Sequence, residues 1–206
     1  MSDAKNQIIK PELFRDQDVF FGAKARILAT LPENHAIYSV IGRIASEWSH
    51  LEHLLDLIIW DLVHHDQVKV ACITSQLMGT APRIRTVLNL LSLRAKRPET
   101  SKLVDKVNQL NKRTFDVSER RNRAIHDPWY LETISGQPAQ FKSMPSKDPQ
   151  FGIADIDEKE QADVIAKIRE LNVRAATLRN EIQAALVASG EKPPEPRLSE
   201  RGQSST

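Results

Sequence analysis

The sequence predicts an all-α fold: an up-down helical bundle with a small peripheral β-hairpin and a C-terminal helix. Three observations predict it. Apolar residues recur at steps of three and four through three long segments, the period of a helix that buries one face. Stop and start signals separate the segments, at Leu31-Pro32-Glu33-Asn34, Gly79-Thr80-Ala81-Pro82 and Asp127-Pro128. A strand-like pattern follows Trp129 and nowhere else.

Residues 1–34 read as an N-terminal arm with one short helix over Val19 to Leu31, where Phe20, Phe21, Ile27 and Leu28 supply the apolar side. Residues 35–188 form the expected single helical domain. Its first long helix runs from about His35 to His65, with Ile37, Val40, Ile41, Ile44, Ala45, Trp48, Leu51, Leu55, Ile58, Ile59 and Leu62 on one stripe. Glu52 falls inside that stripe. A carboxylate there either has a partner or sits at the edge of a wide stripe and reaches water. Residues 67–78 read as a shorter helix. Thr80 is the expected N-cap of a third helix, with Pro82 in its first turn, running to about Ala95.

The fourth helix runs from about Thr100 to His126 on Leu103, Val107, Leu110, Thr114 and Val117, and Arg121 and Ile125 continue the same line. Arg121 is therefore expected to point at other helices. The hairpin covers about residues 129–144, turning at Ser135-Gly136-Gln137-Pro138. Its length and Pro138 make it peripheral. Pro145 to Gly152 reads as loop. Asp157 with Glu160 resembles a capping box and opens a final helix carrying Val164, Ile165, Ile168, Leu171, Ala175, Leu178, Ile182 and Leu186. Residues 189–206, rich in Pro, Glu, Ser and Arg, read as a disordered tail.

With 206 residues, 40% hydrophobic and 27% charged, the chain is long enough for a substantial core. A net charge of +2 excludes a polycation, so affinity for nucleic acid must come from local patches. One cysteine, Cys72, permits no internal disulfide and suits a reducing compartment. Its apolar helical setting marks it as a core residue rather than a nucleophile. No signal peptide or membrane-length apolar run is visible, so a cytoplasmic location is expected, with no membrane partner. Seven scattered glycines form no phosphate loop, and there is no Gly-x-Ser-x-Gly elbow. His50 and His53 are three apart, but nothing completes a metal site of recognised spacing. No metal or other cofactor is expected.

The chemistry-bearing stretch is Glu119-Arg120-Arg121-Asn122-Arg123-Ala124-Ile125-His126-Asp127-Pro128-Trp129. Asp127 precedes a proline and is pushed out of the α region, which ends the helix. Asn122 and His126 are four apart and share a face. Arg121 and His126 are five apart, about 140° around an ideal helix. A long Arg side chain closes part of that gap, and unwinding at the helix end would close more. An imidazole can serve as general base or acid near neutral pH, and a guanidinium can hold a phosphate and stabilise charge gained during in-line attack. These groups suit cleavage of RNA by its own 2′-hydroxyl, which needs neither a metal nor a protein nucleophile. Arg120 and Arg123 read as surface charge that attracts RNA or simply solvates the helix. Basic residues also concentrate over 83–106 and 112–123.

Arg121-Asn122-x3-His126, placed at the end of the penultimate long helix, resembles the Arg-x4-6-His signature of the HEPN superfamily. The long first helix with Glu52 in its stripe is similar to such proteins, and the likeness covers roughly residues 35–130. The resemblance implies a HEPN-like domain and a metal-independent endoribonuclease acting as a toxin or defence effector. It also implies a homodimer with a composite active site, with RNA as substrate and an antitoxin or other protein as possible regulator. It casts His126 as base or acid, Arg121 as phosphate clamp and Asn122 as the orienting amide. Pro128 stands where antitoxin-regulated members tend to carry a tyrosine two residues after the histidine, which departs from that mode of control. Glu52 is expected to support the site by pairing with Arg121, directly or through Asn122. Two alternatives differ in kind: a non-catalytic HEPN-like module binding RNA, nucleotide or a protein, and a plain structural bundle.

Overall fold

A computed structural model describes residues 28–63, 66–94, 98–144, 150–156 and 158–190. The chain there is mostly helical. The helices are α1 (Ile37–Val63), α2 (Gln67–Thr74), α3 (Thr80–Ser92), α4 (Pro98–His126) and α5 (Glu158–Ala188). The strands are β1 (Leu28–Thr30), β2 (Trp129–Glu132), β3 (Pro138–Met144) and β4 (Gln150–Asp155). They form one antiparallel sheet in the order β1-β2-β3-β4.

The all-α expectation is thus corrected in one respect: the hairpin β2–β3 is the centre of a four-stranded sheet. Leu28-Ala29-Thr30, read as the end of a helix, pairs with Glu132-Leu131-Tyr130. Gln150 to Gly152, read as loop, belongs to β4. The physical reason is the strand edges. A two-stranded hairpin leaves backbone donors and acceptors open along both sides, and added strands satisfy them. Residues 1–27 of the arm, Asp157 and residues 191–206 of the tail lie outside the described residues.

The chain divides into two compact units, Met1–Glu47 with Asp116–Ile168 and Trp48–Phe115 with Arg169–Thr206. In the first unit the two-residue period sorts the sheet into two faces. Leu28, Ala139 and Ile153 form a buried cluster on one face, with Tyr130 and Phe141 packed against it. Trp129 and Gln140, direct cross-strand partners, lie on the other. Gly136 closes the β2–β3 connection at φ 68°, a conformation that costs other residues energy.

In the second unit the expected stripes are buried. Leu51, Leu55, Ile58, Ile59 and Leu62 of α1 are each at most 2% exposed, as are Ile84, Val87 and Leu91 of α3. Val107 and Leu110 of α4 and Leu171, Ala175, Leu178, Ile182 and Leu186 of α5 are also buried. Each large apolar side chain so removed from water contributes about 1.5–3 kcal/mol. Lys106 bonds to Glu181 and Arg113 to Glu170, so α4 and α5 run antiparallel.

Two charged braces cross this unit. Arg83 donates from Nε and Nη2 to the two carboxylate oxygens of Asp56, at 2.8 and 3.3 Å, and from Nη1 to the carbonyls of Leu77 and Gly79. Asp61, 5% exposed, accepts from Arg179 Nε at 2.7 Å and from Gln183 at 3.0 Å.

Two local expectations are corrected here. Gly79, not Thr80, occupies the N-cap of α3 at φ 79°, and Thr80 is buried in its first turn. The left-handed φ selects glycine, and with it the start of the helix. Cys72 is exposed, not part of the core. The buried side of α2 is set by Val70 and Thr74, while Val68, Cys72 and Ile73 face out.

Candidate functional site

The site residues lie on the last two turns of α4. That helix stays regular through His126, since the N–H of Asp127 still bonds to the carbonyl of Arg123 at 3.0 Å. The unwinding expected to draw Arg121 towards His126 is therefore not found. Arg123 and His126 place basic groups in the final turn, at the negative end of the helix macrodipole.

Arg121 is half-buried with its Nε inside the protein, and its Nη1 donates to Asn122 Oδ1 at 2.9 Å. Asn122 and His126 are both exposed, one turn apart on the same side of α4. The structure thus joins Arg121 to Asn122 by a hydrogen bond and Asn122 to His126 by face. Among the described residues, no hydrogen bond or ion pair engages the His126 imidazole. Its ring nitrogens are open to a ligand.

The helix end is held by side chains that sequence reasoning did not select. Trp129 Nε1 donates to the carbonyl of Ala124 at 3.0 Å, and Gln140 Nε2 to the carbonyl of Arg123 at 2.8 Å. The Ala124 carbonyl has no helical donor because Pro128 carries no N–H, and Trp129 supplies one, whereas the Arg123 carbonyl accepts from Gln140 in addition to the Asp127 N–H. Gln140 is 2% exposed. The backbone adds a third tie, from the N–H of Phe141 to the carbonyl of Pro128 at 2.9 Å. A lone polar residue in a strand reads as solvent-facing, so no sequence signal pointed to Gln140. Trp129, directly after the helix-ending Asp-Pro, was the one visible hint.

Both flanking arginines have carboxylate partners. Arg120 Nη1 lies 2.9 Å from Asp163 Oδ2, and Arg123 Nη2 lies 2.5 Å from Glu119 Oε1. Asp163 also binds Lys167 at 2.8 Å. The Lys167 hydrogen bond, aided by the charges of Lys167 and Arg120, holds the Asp163 carboxyl below its ordinary value of 3.8 and outweighs the opposing effect of burial.

Glu52 has partners within its own unit. Its carboxylate accepts from Trp48 Nε1 at 3.1 Å and lies 3.9 Å from Arg83 Nη1. Its side chain keeps 25% exposure. His50 and His53 are both exposed, and His53 meets Trp60 edge-on with ring centroids 6.2 Å apart. Among the described residues no cluster of three or more His, Cys, Asp or Glu is arranged to hold a metal, and no helix is long and apolar enough to cross a membrane. No protein-family model, no curated protein and no solved structure matches this chain.

Proposed function

We propose that this protein is an endoribonuclease that cleaves RNA through attack by the substrate's own 2′-hydroxyl, acting as a toxin or defence effector. One observation carries the reading: Arg121 is bonded to Asn122, and Asn122 shares an exposed face with His126 at the end of α4. In the proposed step His126 takes the 2′-hydroxyl proton, the 2′-oxygen bonds to phosphorus, and the bond from phosphorus to the 5′-oxygen breaks. Arg121 holds the phosphate oxygens as negative charge builds, and Asn122 orients the guanidinium. The leaving 5′-oxygen needs a proton, and one chain offers one imidazole at this site. A homodimer that brings two copies of His126 to one cleft supplies both base and acid, so dimerisation belongs to the proposal. The HEPN resemblance supports the same reading.

The engagement of Arg120 by Asp163 and of Arg123 by Glu119 favours a second reading, because it leaves less uncompensated positive charge beside the motif. In that reading the chain is a non-catalytic module that binds RNA, nucleotide or a protein. Incubation of purified protein with mixed RNA in EDTA separates the two. The ribonuclease reading expects fragments with 2′,3′-cyclic phosphate ends, lost in His126→Ala and in Arg121→Ala. RNA left intact by the wild type, or cleaved equally by His126→Ala, removes it.

A further inference from the structure

We propose that Trp129 and Gln140 are positioning residues that fix His126 by clamping the terminal turn of α4 to the sheet. The inference rests on the ribonuclease reading for its catalytic consequence, and on geometry alone for the clamp. The two side chains come from directly paired positions on neighbouring strands and project from the same face of the sheet. They reach consecutive carbonyls, Gln140 to Arg123 and Trp129 to Ala124. Those residues stand two and three positions before His126, within its own turn.

An exposed helix end ordinarily frays, and a side chain on its last residue then samples many directions. Two neutral donors held in a strand pair stop that at its origin. Neither donor is charged and Gln140 is almost wholly buried, so the clamp adds no net charge at the site and contributes mainly orientation. Orientation matters because a reacting group displaced by about 1 Å can lose on the order of a hundredfold in rate. The clamp also explains the polar Gln140 on a buried sheet position: its amide supplies a donor that an apolar residue cannot.

The test uses the full chain with Trp129→Phe, which keeps a ring and removes the donor, and Gln140→Met, which keeps length and removes the amide. A core control, Ile182→Val, lies in the other unit and lowers stability without touching the clamp. Histidine-labelled protein is followed by NMR, and the variants are compared in RNA cleavage under saturating and limiting substrate. The expected result is broadening or displacement of the His126 ring signals in both clamp variants and not in the control. Cleavage should lose about tenfold or more in kcat with KM little changed. Wild-type protein that cleaves no RNA defeats the ribonuclease reading but leaves the NMR comparison intact, and that comparison then decides the clamp. His126 signals that stay the same in both clamp variants, or that move equally in Ile182→Val, overturn the inference. So does a cleavage defect confined to KM.

Discussion

The brace around Arg83 makes a quantitative prediction. Arg83 and Asp56 have side chains only 11% and 15% exposed and meet through two hydrogen bonds. Arg83→Met keeps the stem and removes the guanidinium. It strands the Asp56 carboxylate, and it frees the carbonyls of Leu77 and Gly79, which are half-buried and can turn to water. Removing one partner of a fully buried pair costs about 3–5 kcal/mol. The residual exposure of Asp56 moves the estimate towards the lower end, about 3 kcal/mol, and the two carbonyls add less than about 1 kcal/mol each. Asp56→Leu is expected to cost less, because Arg83 keeps both carbonyls and stays 3.9 Å from Glu52. The double variant should cost less than Arg83→Met alone, since it removes the stranded carboxylate and leaves an apolar pair of similar volume. Urea unfolding of the four proteins, followed by far-UV circular dichroism, yields the coupling energy, expected near 2 kcal/mol. A coupling below about 0.5 kcal/mol would refute the view that this pair is a dry brace.

The second brace should behave asymmetrically. Arg179→Ala leaves the buried Asp61 with Gln183 alone and is expected to cost about 3 kcal/mol, whereas Asp61→Asn strands an arginine that is 28% exposed and costs less; equal losses in thermal unfolding would contradict this. Asp163 has a folded-state pKa below its ordinary 3.8, so its stabilising effect is complete above that value and disappears as pH falls through the lower folded value. The stability gap between wild type and Asp163→Asn should accordingly narrow on acidification below about pH 4, and a gap that widens there would reverse the sign. Cys72 is exposed and should react with an aromatic disulfide reagent in the native state at a rate near that of the denatured chain; a thiol masked until unfolding would contradict its position. On the ribonuclease reading, Glu119→Gln should tighten RNA binding by up to about fivefold at low salt by releasing Arg123, with the gain vanishing as salt rises; equal affinity at every salt concentration would count against a phosphate role for that arginine.

The long helices were legible because burial of one face imposes its period on the sequence. Leu51, Leu55, Ile58 and Leu62 could be read directly as core. The end of α4 was legible for a steric reason, the proline after Asp127. What failed was everything decided by neighbours distant in sequence. Leu28-Ala29-Thr30 carries no strand signal of its own and becomes β1 by completing the open edge of β2. The eight residues of α2 are apolar nearly all round, so the pattern could not say that Val70 points in and Cys72 out. For Glu52 the stripe allowed either a partner or an edge position open to water, and both descriptions apply: it is bonded and 25% exposed. Trp48 lies on the preceding turn of the same helix, whereas Arg83 arrives from α3. In the candidate site, the helical spacing of Asn122 and His126 was readable from the chain. The support from Gln140 was not, because a glutamine that faces a helix end looks in sequence like one that faces water.

The pairs around the motif and the clamp beneath it differ in energetic kind, and that difference bears on function. Arg120–Asp163 and Arg123–Glu119 involve side chains between 26% and 66% exposed. Such pairs are worth about 0–1 kcal/mol and weaken with salt. A phosphate offers each guanidinium a comparable or better partner, since each present pair is a single contact whereas phosphate can accept from both terminal nitrogens, and the incoming backbone is multiply charged. These arginines are therefore exchangeable: their charge is compensated at rest and transferable on binding. The contacts of Gln140 and Trp129 answer to other rules. Trp129 satisfies the Ala124 carbonyl, which would otherwise be left unpaired at a cost of about 1–3 kcal/mol, Gln140 adds a second bond to the Arg123 carbonyl, and both contacts are between neutral groups that salt screens little. A polyanion arriving at α4 would thus rearrange the charges on its exposed side without loosening the turn that carries His126. On the ribonuclease reading, the site must first attract a flexible, highly charged chain and then hold one imidazole in place, which needs both properties. At the end of α4 they reside in different groups: exchangeable charge in exposed side chains, and the clamp in backbone carbonyls of the last turn.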